Sequence, residues 1–270
     1  MSIQAIEITK EAHPILFQDK NLGRERHYAH VTTMNPVKVL MEAGWLPREV
    51  ITLKPRKEKY KGFQKHRVRF FNPKLSEVNG SFAEILLTNS YDAKSSFLLQ
   101  LGVFRMICAN GMVVGDTYNQ EAVRHIGYSD QKVYDAIMRL LPQTDRILSA
   151  VDRFSTVDLS VKDQRRFGES ILKARIADEE KGWIIDESAM ISLFRTNRRD
   201  DAKTDLWTFF NRSQENLCRH GFFMNKKDED GNIERRKVQA IKNTFRADPL
   251  NKAIWTITEE TFELKQKQID

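Results

Sequence analysis

Apolar and polar positions in the first half of the chain follow the two-residue period of β-strands. β-Branched or alternating runs occupy residues 50–53, 67–71 and 82–88, and Asn79-Gly80, just before the third run, is a strong hairpin-turn signal. Residues 97–108 are apolar and fit either a buried strand or a helix. Asn110-Gly111 predicts a second turn. We therefore expect a mostly antiparallel sheet over residues 45–127, after a short helix over 36–41.

The second half changes to helical spacing. Apolar residues recur on one face from 133 to 154, where Pro142 should divide the helix, and again over 163–177 and 206–217. A last helix is predicted from about Pro249. Strands followed by helices indicate the α+β class. We expect one α+β domain over 1–270, with a β-rich half (1–128) and a helical half (129–270).

Composition and charge favour an anionic partner. The chain has 270 residues, 40% of them hydrophobic, and a formal net charge of +7. This is a globular composition, and a positive excess attracts polyanions. The N-terminus does not resemble a signal peptide, and no apolar run reaches the length of a membrane span. We expect no membrane association and a location in the host cytoplasm or nucleoid.

The densest charged segment is residues 54–69, KPRKEKYKGFQKHRVR, which we call the basic arm. Tyr60 and Phe63 are interleaved among its eight cations, and only Glu58 opposes them. Such a segment between two strands can neutralise phosphates, while the aromatic rings stack on bases. It can equally be a solvated loop. Its cations are Lys54, Arg56, Lys57, Lys59, Lys61, Lys65, Arg67 and Arg69.

Two smaller basic clusters follow. One comprises Arg195, Arg198, Arg199 and Lys203, and the other comprises Lys226, Lys227, Arg235, Arg236 and Lys237 on the two sides of an acidic turn. The second cluster resembles a β-hairpin with charged strands. Each cluster alone is more often a solvated face. Three clusters in one chain favour a track for phosphates.

Motifs for catalysis or cofactors are not found. Asp228, Asp230 and Asn232 superficially resemble a calcium loop, but Gln239 stands where the loop needs glutamate. No nucleophile elbow, phosphate-binding glycine loop or zinc spacing is present. We therefore expect no cofactor, no metal and no catalytic residue. The two cysteines, Cys108 and Cys218, have apolar neighbours and are expected to be buried thiols.

Three stretches of the chain resemble the phage/plasmid-like protein family catalogued as domain of unknown function 932. The motifs run in order as N-S-x-D, F-R-x-x-C-x-N-G, V-R-H and W-x-x-x-N-R-x-Q-E-N, over roughly residues 20–262. The resemblance implies a gene of phages, prophages or plasmids, and it implies no activity. The motif residues are Asn89, Asp92, Arg105, Asn110, Gly111, Arg124, His125, Asn211, Arg212, Gln214 and Glu215.

The motif residues allow two interpretations. They can form a polar network that fixes sheet against helix, or they can line a site for a ligand or DNA. Arg105 follows apolar neighbours and needs partners if it is buried, so we predict that it contacts the face formed by Asn211 and Glu215. The order of a β-rich half with a basic arm and then helices also resembles, at fold level, the recombination mediator Rad-fifty-two and phage single-strand annealing proteins.

The sequence therefore predicts a protein that binds single-stranded DNA and promotes annealing without ATP, as a homo-oligomer for which a ring is one candidate form. One alternative is a metal-dependent nuclease or nucleic-acid-modifying enzyme built around Asp116, Glu121 and His125. Another is an interaction protein that blocks a host defence. The expected nucleic-acid contacts are the eight cations of the basic arm together with Arg105, Arg124, His125, Arg198, Arg199, Arg212, Lys226, Lys227, Arg235 and Arg236.

Overall fold

The computed structural model has an α+β architecture, as the hydrophobic pattern predicts. It describes residues 3–20, 22, 30–55, 57–92, 97–105, 110–113, 121–123, 129–177 and 181–268. The chain divides into two compact units, one extending through Leu148 and the other beginning at Ser149.

An antiparallel sheet forms the first unit together with two helices. Its strands are paired in the order β1-β2-β3-β4-β5, and β6 also pairs with β4. β5 lies beside Gly102–Arg105 and β6 beside Phe97–Leu99, so both occupy the same edge of β4. The elements are α1 (Met34–Glu42), β1 (Leu46–Thr52), β2 (His66–Phe71), β3 (Ser81–Asn89), β4 (Phe97–Arg105), β5 (Asn110–Val113), β6 (Glu121–Val123) and α2 (Asp130–Leu140).

Turn chemistry positions these elements. Gly44, with φ of 86°, follows α1, where Trp45 N–H donates to the carbonyl of Leu40. Asn79 and Gly80 have φ of 49° and 73°, and Val78 and Ser81 on either side exchange backbone hydrogen bonds. Two consecutive left-handed residues make the tight turn that asparagine and glycine tolerate best. The predicted turn is confirmed.

Alternation along β2 determines the two faces of the sheet. Val68 and Phe70 share one face with Ile85 and Leu87 of β3, and all four side chains are fully buried. The opposite face carries the polar residues Arg67, Arg69, Glu84, Thr88 and Gln100, which are also buried.

The second unit is mainly helical and contains a three-stranded antiparallel sheet in the order β7-β8-β9. Pro142 separates α2 from the next helix, as predicted. Trp207, Phe210 and Trp255 pack together with Phe154 through ring contacts of 4.8–5.8 Å. From residue 143 onward the elements are α3 (Gln143–Ser155), α4 (Val161–Ile176), β7 (Trp183–Ile184), α5 (Glu187–Leu193), α6 (Leu206–Glu215), β8 (Phe222–Lys227), β9 (Ile233–Val238) and α7 (Thr244–Gln266).

Three details differ from the sequence-based expectations. Asn110 and Gly111 begin β5 and pair with Arg105 and Phe104, so they are strand residues and not the turn itself. α7 begins at Thr244, earlier than predicted, because Asn243 caps it by accepting a hydrogen bond from Arg246 N–H. A turn of π-helix, Asn216–His220, continues α6. Among the helices of the described residues, none combines the length and apolarity needed to cross a membrane.

Candidate nucleic-acid interface

The basic arm of the sequence becomes two structurally different parts. Residues 53–65 connect β1 to β2, whereas Arg67 and Arg69 lie inside β2. In the connection, Lys61 forms an ion pair with Glu58 at 3.1 Å, and the ammonium of Lys59 lies 5.2 Å from the ring centre of Tyr60. Lys65 is half-buried, and Arg56 lies outside the described residues. The exposed lysines are Lys54, Lys57, Lys59 and Lys61.

The two arginines of β2 are buried in a polar layer on one face of the sheet. Arg69 forms ion pairs with Glu84 and with Glu49, and Glu84 is fully buried between Arg69 and Arg48. Arg67 Nε donates to Thr88 Oγ1 at 2.9 Å. A buried charge is tolerated only with such partners. These guanidiniums therefore belong to the interior of the first unit, and they do not extend the exposed arm.

The hairpin formed by β8 and β9 presents an exposed basic surface on the second unit. Arg235, Arg236 and Lys237 follow one another on β9, and all three are exposed. Successive residues of a strand point to opposite faces, so these cations lie on both faces of the hairpin. Within the described part of the chain, no carboxylate lies within ion-pair distance of Arg235 or Lys237, while Arg236 pairs with Glu234 at 2.8 Å.

Aromatic rings lie beside the cations of this hairpin. The guanidinium of Arg235 is 5.1 Å from the ring centre of Phe223, and the ammonium of Lys226 is 5.2 Å from that of Trp183 on β7. Both rings are half-exposed. Trp183 and Phe223 were not among the predicted contacts, because strand pairing, and not proximity along the chain, places them beside these cations. The sequence feature that could have identified these rings is an aromatic residue shortly after a glycine, in Gly182-Trp183 and Gly221-Phe222-Phe223.

The acidic turn of this hairpin is a structural turn. Both carboxylate oxygens of Asp228 accept from Asn232, one from the backbone N–H at 2.8 Å and one from the side-chain amide at 3.1 Å. These hydrogen bonds lower the pKa of Asp228. Gly231, with φ of 90°, completes the turn. Across the described residues, no cluster of acidic, histidine or cysteine side chains could hold a metal ion.

The cluster around Arg198 is divided between surface and interior. Arg195, Arg199 and Lys203 are exposed. Arg198 pairs with Glu215 and, at 2.8 Å, with Asp201.

Arg212 is part of the interior as well. Its guanidinium donates to the backbone carbonyls of Asp201 and Lys203 at 2.5 and 2.9 Å, and burial lowers its pKa. Arg198 and Arg212 thus hold the connection between α5 and α6 in place.

The family motif of α6 forms a buried polar network. All ten residues of the helix are buried, and its polar side chains bind either the helix backbone or neighbouring elements. Gln214 Nε2 donates to Asn251 Oδ1 of α7 at 3.3 Å, and Asn211 Nδ2 donates to the Trp207 carbonyl at 2.6 Å. Asn216, in the π-turn, donates to the carbonyls of Leu193 and Arg195 at 2.7 and 3.0 Å. These contacts join α6 to α7 and to residues 193–195, whereas the predicted network between sheet and helix stays a prediction.

A second motif, N-S-x-D, ends β3 and joins it to residues 31–33. Asn89 is fully buried and donates to the Val31 carbonyl and to Thr33 Oγ1 at 3.1 and 3.0 Å. Ser90 donates to Asp92 Oδ1 at 2.8 Å. The motif residues Asn89 and Asp92 thus have partners within the first unit, which agrees with a structural role.

The structure places Glu121, Arg105 and Cys218 among the remaining predicted residues, and the others lie outside the described ranges. Glu121, proposed for the enzyme alternative, binds Arg139 through both carboxylate oxygens at 3.0 Å. Arg105 is buried in β4, and Asn211 belongs to the other compact unit, so their contact stays a prediction. Burial of the Cys218 thiol raises its pKa to about 12. Outside the described residues lie Cys108, Asp116, Arg124 and His125.

Comparisons with known proteins agree with the sequence motifs. The family model described as Domain of unknown function (DUF932) matches residues 24–241. Two proteins of Escherichia coli (strain K12), described as UPF0380 protein YfjQ and UPF0380 protein YafZ, are each 26% identical over 254 residues, or 94% of this chain and 89% of the relative. No solved structure shows a significant match. The family match includes the basic arm, both motifs and the β8–β9 hairpin.

Proposed function

The chain belongs to the family described as Domain of unknown function (DUF932), and on that premise we propose that it is a DNA-binding protein of a phage, prophage or plasmid. It holds single-stranded DNA and promotes strand annealing without ATP. It works in the host cytoplasm or nucleoid as a homo-oligomer, of which a ring is one form.

The observation that carries this proposal is the run of exposed cations on β9. Three consecutive basic residues of a sheet edge face solvent, and two of them have no carboxylate within ion-pair distance in the described part of the chain. Exposed cations that are not neutralised internally attract phosphates and release their counterions. Half-exposed Phe223 and Trp183 add the stacking surface that unpaired bases use, which favours single strands over duplex.

The test replaces Arg235, Arg236 and Lys237 together with alanine. Affinity for fluorescein-labelled oligothymidylate is measured by anisotropy over a series of salt concentrations. Each phosphate contact on a single strand contributes about 0.7 to the slope of log K against log salt, so the slope should fall by about 2. The matched control replaces three exposed cations of α4, Lys162, Arg166 and Lys173, and should keep the wild-type slope.

Two outcomes would contradict the proposal. Equal slopes for the β9 variant, the control and the wild type would remove the hairpin from the site. Metal-dependent cleavage of DNA by the wild-type protein, measured with magnesium or manganese, would favour the enzyme alternative. Annealing of complementary strands without ATP should instead proceed with the wild type, leave the DNA intact, and slow with the β9 variant.

A further inference from the structure

An apolar groove on the second unit is separate from the basic hairpin. The N-terminal half of α4, α5 and the start of α6 enclose a volume of 540 Å³. Phe194 and Phe209 form its floor, in edge-to-face contact with ring centres 4.8 Å apart. Gly168 leaves room for this floor, because a Cβ atom there would come within 2.9 Å of the Phe194 ring. The floor of the groove is therefore formed by closely packed aromatic side chains.

The rim of the groove exposes large aliphatic side chains. Val161 is 82% exposed and Ile191 is 68% exposed, and both line the groove with branched apolar groups that face water. Exposed apolar side chains grouped around an apolar groove commonly mark an interaction surface. The rim also carries exposed Arg195 and exposed Arg165, which pairs with Glu169 of its own helix at 3.1 Å, and one exposed carboxylate, Glu187. An occupant should therefore present an apolar side chain flanked by carboxylates.

The same chain carries such a segment at the end of α7. Glu260, Glu263 and Leu264 lie on one face of the helix because they are spaced by three and four residues. All three are exposed, and Leu264 is 57% exposed. In the described part of the chain, no cation lies within ion-pair distance of Glu260 or Glu263. We call Glu260, Glu263 and Leu264 the acidic stripe.

The groove and the acidic stripe occupy the same end of the second unit. Asp163, two residues after Val161, forms an ion pair with Lys265, next to Leu264, at 2.8 Å. Leu264 is exposed and so does not fill the groove of its own chain. Because the groove and the acidic stripe of one copy are adjacent, a second copy related by a two-fold axis can place its stripe in that groove and receive the first copy's stripe in its own.

We propose that the groove receives the acidic stripe of a second copy of this chain, with Leu264 over the aromatic floor and the two glutamates against Arg165 and Arg195. This assigns a surface to the self-association that is part of the proposed function, and it does not depend on contact with nucleic acid. It predicts a reciprocal dimer, alone or as the unit of a larger assembly.

Ring geometry favours protein over a nucleobase as the occupant. One face of Phe209 is covered by the guanidinium of Arg212 at 4.9 Å, and Phe194 lies parallel to Phe167, with ring centres 6.3 Å apart. Base stacking needs a ring that solvent reaches. Phe209 is only 4% exposed, whereas Phe223 and Trp183, which also lie beside cations, are half-exposed. An aliphatic side chain such as leucine needs only apolar surface, which the rim and floor supply.

The experiment exchanges the charges of the two surfaces. The groove variant carries Arg165→Glu and Arg195→Glu, and the stripe variant carries Glu260→Arg and Glu263→Arg. Sedimentation velocity without nucleic acid should show an associating wild type and mostly monomeric single-surface variants, because each variant opposes like charges. An equimolar mixture should associate again, because both contacts of a reciprocal heterodimer then pair opposite charges.

Control variants separate the charge effect from unfolding. Arg166→Glu makes the same change on an exposed α4 residue outside the groove and should associate like the wild type. Ile191→Ser and Leu264→Ser, at exposed positions, should each weaken association by roughly tenfold without lowering the melting temperature.

A monomeric wild type up to its solubility limit would overturn the proposal, as would single-surface variants that associate normally. A mixture that stays monomeric would overturn the pairing of groove with stripe. Oligothymidylate binding is measured on the same proteins. If the wild type binds oligothymidylate but does not associate, this inference fails and the proposed DNA binding stands. If the wild type associates through these surfaces but does not bind oligothymidylate, the proposed function fails and this inference stands.

Discussion

His66 lies at the centre of a buried hydrogen-bonded network in which the direction of each bond can be assigned. Its Nδ1 is 3.0 Å from the Gln64 carbonyl, which can only accept, so Nδ1 carries the proton. Nε2 must then accept from the Thr33 hydroxyl at 2.8 Å. Thr33 Oγ1 in turn accepts from the Tyr91 hydroxyl at 2.7 Å and from Asn89. Burial favours the neutral form of His66 and outweighs the Gln64 carbonyl, which favours the protonated form.

Acid should therefore destabilise the protein through His66. Burial lowers its pKa from 6.5 to about 4. The unfolded chain binds this proton below pH 6.5 and the folded chain does not, so stability is complete above pH 6.5 and falls as the pH drops toward 4. At about 1.36 kcal/mol per pKa unit, the contribution lost is about 3 kcal/mol.

Urea unfolding of the wild type and of His66→Gln across this pH range measures the effect. Glutamine can donate to the Gln64 carbonyl and accept from Thr33 but does not titrate. The difference in unfolding free energy between the two proteins should shrink as the pH falls from 6.5 to 4. If the unfolding free energies of the two proteins change in parallel with pH, His66 is not the source of the acid destabilisation.

At the scale of elements, α6 and its π-turn act as an anchor for the connection that follows α5. Asn216 is fully buried, and its amide donates to two carbonyls of residues 193–195. We expect Asn216→Ala to lower the free energy of unfolding by about 2–4 kcal/mol, because it leaves the buried Leu193 carbonyl and the part-buried Arg195 carbonyl without this donor. Chemical denaturation measures this change.

The matched control for α6 is Asn197→Ala. Asn197 is exposed and donates to Asn216 Oδ1 at 3.3 Å, so its removal takes one weak bond from the same site. Its cost should stay below about 1 kcal/mol. Equal losses for the two variants would contradict the anchoring role. Retained oligothymidylate affinity in folded Asn216→Ala would agree with a structural role for the motif.

For the whole molecule, the basic charge is presented by two surfaces in separate units. Lys57, Lys59 and Lys61 of the basic arm belong to the first unit, and β9 belongs to the second. If the arm also binds phosphate, replacing these three lysines with alanine should lower the salt slope by about 2. The exposed side chains should leave the melting temperature unchanged.

Combining the arm and β9 variants tests the two surfaces together. Independent surfaces should give additive losses of slope, since distant sites without shared partners add. A slope unchanged by the arm variant would restrict the nucleic-acid contact to the second unit. The same titrations with duplex DNA measure the preference for single strands.

The hydrophobic pattern predicted most of the elements because periodicity and turn chemistry are local properties. Alternation in β2, the left-handed turn at Asn79-Gly80 and the break at Pro142 depend on residues adjacent in the chain. The start of α7 was predicted too late because Pro249 lies inside the helix, whereas Asn243 caps it. The motif order likewise identified the family correctly.

Tertiary structure alone decided which charges remain available. Lys57 and Arg67 belong to one basic run of the sequence, yet Lys57 is exposed and Arg67 is fully buried. In the same way, Asn216 and Arg212 are polar residues that the structure places in the interior. Sequence determines the composition of a strand or helix face. The elements that pack on that face determine its burial, because the solvation of a charge depends on every group around it, including groups far away in the chain.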